Sequence, residues 1–254
     1  MQWIITTAYL FLFLLGLVVG SFLNVCIYRI PKRITVVTGR SMCPSCGAMI
    51  HGYDNIPVVS YLILRGKCRN CGARISPRYP IVELLCAFCF TLCGTVFGFS
   101  PNTPIFCAFS AVLILVAFID MDTQEIPDRF HFIILGLGII SIWLAPQISL
   151  VERLIGAACV SGPMLLIILF TDGFGMGDVK LMAASGFLLG WQNTLFAALC
   201  GTISAAVVSL ILIALKRKTR RDRIPFGPYL SAGLFVAALY GQTVIHAYLS
   251  LFGL

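Results

Sequence analysis

Two carboxylates stand where an apolar chain should not casually place them. Asp120 closes the run Ala111-Val112-Leu113-Ile114-Leu115-Val116-Ala117-Phe118-Ile119, and Asp178 follows Gly175-Met176-Gly177 and opens a second apolar run. An ionisable group at a membrane boundary is costly and marks a candidate functional site. Two carboxyls sharing one proton can hydrolyse a peptide bond with neither a metal nor a covalent nucleophile. One takes a proton from water and the other donates to the carbonyl oxygen; like charges that close cannot both ionise. Gly175 and Gly177 let the backbone approach a partner closely, and Asp122 and Lys180 flank the pair as supporting candidates. A plainer reading stays open beside this one: both acids cap helices, and Asp178 before Val179-Lys180 suits an N-cap.

Four of the eleven cysteines carry a second chemistry. Cys43-Pro-Ser-Cys46 and Cys68-Arg-Asn-Cys71 form two CxxC knuckles in the one long polar loop, each followed by glycine (Gly47, Gly72). Four thiolates in two such pairs suit a tetrahedral structural zinc ion. The alternative is two disulfides, which a loop in a reducing compartment disfavours. His51 is a surplus donor that fits better as a solvated loop residue. The other seven cysteines lie in apolar segments and read as small hydrophobes; this includes Cys86 and Cys89, whose CxxC spacing falls inside a helix.

The elements that must hold these groups are membrane helices. The chain is 59% hydrophobic and 11% charged, with a mean hydropathy of +0.97. That is too apolar and too poor in charge for an ordinary soluble domain. An all-α integral membrane bundle of about eight spans follows, at roughly 4–28, 80–99, 103–119, 130–146, 153–171, 179–190, 193–215 and 227–252. A span needs about 17–25 residues, so the sixth reads as a half-helix or a segment packed inside the bundle. The first segment lacks a basic leader and a small-residue cleavage site, and reads as a retained helix. The chain divides into a first transmembrane helix (1–28), a zinc-binding loop domain (29–79) and a bundle carrying the acid pair (80–254).

Charge sets the sidedness. Nine of the 18 Lys and Arg lie between Arg29 and Arg78, and six more lie between Lys216 and Arg223. Basic loops stay cytoplasmic. Eight spans then put the loops at 29–79, 120–129, 172–178 and 216–226 on the cytoplasmic side and both termini outside. Only Glu152 falls in the outer loops. The same topology accounts for the net charge of +8 with no need for a nucleic-acid partner. It also places Asp120 and Asp178 at one face of the bilayer.

The combined motifs resemble the type IV prepilin peptidases, bifunctional leader peptidases and N-methyltransferases of pilus and type II secretion systems. The resemblance runs through Gly20-Ser21-Phe22-Leu23-Asn24-Val25, Tyr28-Arg29-Ile30-Pro31, the Cys-Pro-Ser-Cys knuckle at 43–46 and Asp54-Asn55-Ile56-Pro57. It continues through Arg65-Gly66-Lys67-Cys68, Arg78-Tyr79-Pro80-Ile81-Val82-Glu83 and the GxGD signature Gly175-Met176-Gly177-Asp178. The family's first catalytic aspartate stands seven residues before the Pro of an Ile-Pro-Asp turn. That position is Asp120 here, and the second is Asp178.

The resemblance implies a bacterial inner-membrane enzyme. Its substrates would be prepilins or pseudopilins with a short basic leader, a Gly before the cut and usually a Phe after it. It implies S-adenosylmethionine as methyl donor for the new N-terminal amine. No glycine-rich cofactor fingerprint of soluble type is present. Methyl transfer is assigned to the loop 29–83 and its junctions, with Glu83, Arg78 and Tyr79 as candidates. The turn 120–129 carries Asp120, Asp122, Glu125 and Asp128 against Arg129, a net −3 if all ionise. Glu125, Asp128 and Asp172 are therefore candidates for drawing in the basic leader.

Two other classes of protein would differ from this one. A cation-coupled transporter would carry its carboxylates near the midplane on broken helices, and these sit beside polar loops. A pilin-binding chaperone would keep binding its client after Asp→Asn changes that stop cleavage.

Overall fold

The computed structural model describes residues 2–144, 148–170, 175–217 and 224–252. Asp172 and the basic stretch 218–223 lie outside them. Among the described residues the regular elements are all helices, with two isolated β-bridges in the long polar loop. It falls into two compact units, 1–99 and 100–254.

In the first unit, α1 (Gln2–Arg29) packs along α3 (Arg78–Phe97). Their contact is close because glycines face it. A methyl group on Gly20 would come within 2.7 Å of the Glu83 Cα, and one on Gly16 would strike the Ala87 backbone. The loop between them holds a 3-10 turn at Gly52–Asn55 and a short α2 (Val59–Ile63), neither of which shows in the hydropathy pattern. Arg29 ends α1 and folds the following strand of loop back over it. Its guanidinium donates to the carbonyls of Thr35, Thr38, Gly39 and Arg40.

The second unit contains α4 (Asn102–Thr123), α5 (Asp128–Leu144), α6 (Leu150–Cys159), α7 (Ser161–Phe170), α8 (Met176–Leu189), α9 (Trp191–Ala214) and α10 (Gly227–Ser250). The short α8 is its centre, packed on α5, α6, α7 and α9. Gly156 and Gly186 let α6 and α8 touch backbone to backbone, since a Cβ on either would collide with the other's carbonyl. Arg153, 1% exposed, holds the far end of α8. Its guanidinium donates to the Ser141 hydroxyl at 2.8 Å and to the carbonyls of Phe187 and Leu188, both at 3.2 Å, as cations near helix C-termini do. Glu152, the one acid of the expected outer loops, closes a capping box with Ser149 at the start of α6.

Among the described residues, each of the eight apolar segments read from the sequence coincides with one or two helices. Six helical stretches are long and apolar enough to cross a membrane: 5–29, 78–97, 102–123, 150–170, 191–214 and 227–250. The 150–170 stretch is α6 and α7 together, interrupted at Val160 three residues before Pro163. α5 has 17 residues and α8 has 14, so neither joins those six. Large apolar side chains face outward, among them Phe170 at 84% and Trp143 at 84% exposure. Such a surface suits lipid and would be a liability in water. The protein is a multi-pass membrane protein.

Candidate active site and metal centre

Asp120 and Asp178 both lie in the second unit and both are buried, at 6% and 7% exposure. The Asp120 carboxyl is near enough for its charge to act on Asp178. Neither sits quite where the hydropathy pattern suggests. α4 runs past Asp120 to Thr123 and stops at Gln124, whose φ of 55° is left-handed. Asp120 is therefore on the last turns of the helix rather than in the turn after it. Asp178 is not an N-cap. Gly175 occupies that place, and Asp178 is the third residue of the helix, where its Oδ2 accepts the Gly175 N–H at 3.3 Å.

A third element completes the site. Gly227, the first residue of α10, donates its N–H to Asp120 Oδ2 at 2.8 Å. Such first-turn N–H groups have no partner within their own helix, so Asp120 caps α10 across the unit. The sequence reading passed over Gly227. Its signal was modest: Phe226-Gly227-Pro228 marks a helix start after the basic loop. A Cβ placed there would lie 2.8 Å from Asp120 Oδ2 and 3.0 Å from its Cβ. Gly227→Ala is therefore expected to displace the Asp120 carboxyl and lower cleavage about tenfold to a hundredfold. The change should act mainly on kcat in a titration of substrate. Wild-type kinetics in this variant would remove Gly227 from the site.

The remaining acids separate in space. Asp122 and Glu125 are exposed beside the pair. Asp128 opens α5 and is gripped by Lys180, whose Nζ donates to its Oδ1 at 2.7 Å. Gly177 is packed by Ile126, which a Cβ there would meet at 3.0 Å. Gly175 and Met176 are exposed.

In the first unit the four loop cysteines converge. One sulfur from each of Cys43, Cys46, Cys68 and Cys71 lies within 4.8 Å of the others, and Cys43 and Cys71 are 3.9 Å apart. A tetrahedron of Zn–S bonds of about 2.3 Å needs sulfurs about 3.8 Å apart, so the donor set fits a metal of that kind. The two knuckles are built alike. Cys43 N–H donates to the Ala48 carbonyl and Gly47 N–H to the Cys43 carbonyl; Cys68 with Ala73 and Gly72 with Cys68 repeat this. Gly47 and Gly72 take φ of 69° and 70°, values a side chain would resist. Backbone N–H groups of Cys46 and Ser45 bring the Cys43 thiol down to about 6. An N–H of Ala73 favours the Cys71 thiolate, yet desolvation and the neighbouring sulfurs push that thiol up to about 11. Four such sulfurs cannot all ionise without a cation among them. His51 stays out of the cluster and stacks on Tyr53 with ring centroids 5.2 Å apart.

Between the knuckles and the α1–α3 pair lies a cavity of about 1200 Å³. Tyr79 and Glu83 line it, with Ser21, Asn24, Tyr28 and Tyr61. Arg78, next along α3, is not among its lining residues. Glu83 is 7% exposed and accepts the Val58 N–H at 2.7 Å.

Fold and sites together define a polytopic helical membrane protein with a buried carboxyl pair in one unit and a tetrathiol module in the other. Residues 14–97 match the bacterial peptidase A24 N-terminal domain, and residues 107–210 match the type IV leader peptidase family. Among curated relatives is the prepilin leader peptidase/N-methyltransferase of Pseudomonas aeruginosa, 34% identical over 94% of this chain and 93% of that protein. Proteins of the same name from Aeromonas salmonicida and Bacillus subtilis are 33% and 34% identical, each over 94% of this chain and covering 92% and 97% of their own lengths. No solved structure matches. The chain belongs to the type IV leader peptidase family.

Proposed function

We propose that this chain removes the basic leader from prepilins or pseudopilins and then methylates the new N-terminal amine, with Asp120 and Asp178 as the peptidase pair. The observation that carries the peptidase reading is the burial of two interacting carboxyls in one unit. One carboxylate takes a proton from water as the oxygen attacks the scissile carbonyl. The other carboxyl donates its proton to the carbonyl oxygen. The tetrahedral centre collapses, the C–N bond breaks, and a proton passes to the leaving amine. The Gly227 N–H fixes the rotamer of Asp120, so little reorganisation is needed at the moment of reaction.

The working topology is eight crossings of the bacterial inner membrane, with the zinc loop and both aspartates on the cytoplasmic side and both termini outside. A leader held in the cytoplasm and an apolar pilin helix in the bilayer would then meet the pair at the boundary between them. Mass spectrometry of a co-expressed prepilin reads cleavage and methylation together. An uncut, unmethylated product beside abundant folded enzyme would reject the proposal.

The tetrathiol cluster is assigned a structural zinc ion, which would join the two knuckles into one wall of the 1200 Å³ cavity. That cavity is the proposed methyl-transfer site. It exceeds what one ligand needs, leaving space for a cofactor and the pilin N-terminus together. Bound there, S-adenosylmethionine would supply an electrophilic methyl group to the amine. Glu83 is the buried acid placed to hold a cationic partner, and Tyr79 lies one helical turn before it. Val58, which donates to Glu83, is a β-branched residue at φ 60°. Backbone strain of that kind clusters at functional sites. Glu83→Gln is expected to cut pilin methylation at least tenfold while cleavage changes little. Binding of S-adenosylmethionine measured by calorimetry supplies a readout independent of turnover. Wild-type methylation and binding in Glu83→Gln would leave Glu83 a packing residue.

Leader recognition is assigned to the exposed acids Asp122 and Glu125 beside the pair. Opposed charges of this kind raise encounter rates and weaken with salt. Glu125→Lys should slow cleavage of a basic leader several-fold at low ionic strength, and a Lys→Glu change in the leader should restore it. No effect of Glu125→Lys at low salt would retire this assignment.

A further inference from the structure

Asp128, expected to face the leader, is already engaged. The Lys180 ammonium sits 2.7 Å from its Oδ1, and Lys180 lies two residues after Asp178 on the first turns of α8. On the same turn of α5, His131 Nδ1 is 3.5 Å from that oxygen. His131 is 6% exposed. Its ring lies beside the backbone of Gly177, the residue before Asp178. Ile126 packs on Gly177 from the same side. Three residues of one short stretch, Ile126, Asp128 and His131, thus meet Gly177 and Lys180, which stand on either side of Asp178 in the chain. The α4 helix that leads into this stretch carries Asp120.

We propose that the Asp128–Lys180 ion pair, backed by buried His131, is a clasp that sets the position of Asp178 relative to Asp120. His131, Asp128 and Lys180 are positioning residues in this scheme and touch neither the substrate nor the attacking water. The inference rests on the assignment of Asp120 and Asp178 as the reacting pair. The side chains of Asp128 and Lys180 are 61% and 46% exposed, and a pair so open to solvent adds little stability. What it adds is register. α8 is only 14 residues long, and its N-cap is Gly175, which has no side chain with which to hold the turn. A charge contact two residues from Asp178 fixes that turn against α5. His131 fills the space behind it, with the Asp128 carboxylate and the Lys180 ammonium as the charged groups facing its ring.

The test uses the full-length protein in lipid, cleaving a purified prepilin with a basic leader. Lys180→Met and Asp128→Asn should each lower kcat about tenfold to a hundredfold, the loss expected from an ångström-scale misplacement. KM should stay within about twofold, because a positioning residue contributes nothing to binding. His131→Leu, which keeps the volume and loses the polar ring, should fall in the same direction by a smaller factor. The swap Asp128→Lys with Lys180→Asp should recover most of the lost kcat. It decides the matter even where a single variant proves unstable in a thermal melt. A rise in KM with kcat unchanged in Asp128→Asn would place Asp128 in leader binding and overturn the clasp. So would wild-type kinetics in both single variants, or a folded swap that recovers nothing. Activity surviving in Asp120→Asn would instead sink the pair assignment, whatever the clasp variants do.

Discussion

Asp120→Asn and Asp178→Asn are each expected to lower leader cleavage by about 10³-fold or more, with membrane insertion and metal content unchanged. The reaction needs one carboxyl to take a proton and another to give one, and a single acid cannot hold both states at once. Loss of one general acid or base alone removes about 10²–10⁴ in rate, and loss of the shared proton affects the partner as well. Asn fits the volume of Asp. At position 120 its carbonyl oxygen can still accept the Gly227 N–H that now reaches Asp120 Oδ2 at 2.8 Å. The loss would therefore report chemistry rather than collapse of the α4–α10 contact. Asp122→Asn is the internal comparison. It is exposed, two residues further along the same helix, and positions i and i+2 do not face each other. It should cost only a few-fold. An inactive Asp122→Asn beside an active Asp120→Asn would mean that the pair has been drawn one acid off. Methylation of a pilin that arrives already cleaved should persist in both Asn variants, since Glu83 and its cavity belong to the other unit.

The apolar runs mark where helices form because the bilayer rewards nothing else: every backbone N–H must be paired within its own segment. That reasoning reaches the helices, six stretches of which are long and apolar enough to span; the two CxxC knuckles are legible for another reason, because their ligand spacing is local. It fails where the decisive contact is distant in the chain. Gly227 lies 107 residues from Asp120, and no window of sequence pairs them. Lys180 and Asp128 are separated by 52 residues; Asp128 is exposed, as its sequence context suggests, but its ion-pair partner stands on another helix. His131 looks like one polar residue inside Phe130-His131-Phe132 and gains meaning only when Gly177 is laid against it. The ends of α4 and α8 differ from the ends of the apolar runs for another reason. Hydropathy marks where a helix leaves the lipid, whereas Gln124 and Gly175 mark where its hydrogen bonds stop. The 3-10 turn at Gly52–Asn55 and α2 carry no periodic apolar face. They are held by particular contacts, such as the forked pairing of Arg69 with Asp54, whose shortest N–O distance is 2.6 Å.

Removal of zinc should have the second large effect, and it should fall unevenly on the two activities. The knuckle module has little else to hold it together. Among the described residues its ladder consists of two isolated bridges, Met42 with Met49 and Lys67 with Arg74, and Cys46 and Cys71 are exposed. A loop of this length cannot bury enough apolar surface to offset its chain entropy. Binding of a structural zinc ion contributes on the order of 10–16 kcal/mol in small modules of this kind, all of it to the folded form. Purified protein should therefore carry about one zinc per chain. Replacing any one of Cys43, Cys46, Cys68 or Cys71 with Ser should release it and melt the module, seen as protease sensitivity between α1 and α3. Ligand thiols must be deprotonated to bind, so metal affinity should weaken as pH falls. The cavity wall that the knuckles supply would go with them, and methylation should drop to background. Cleavage should survive in part, because Asp120, Asp178 and Gly227 all lie in the unit spanning 100–254. Elemental analysis that finds no metal in the intact, reduced protein would end the zinc assignment. A Cys68→Ser variant with full methylation and a protease-resistant loop would show instead that the module folds on its backbone contacts alone.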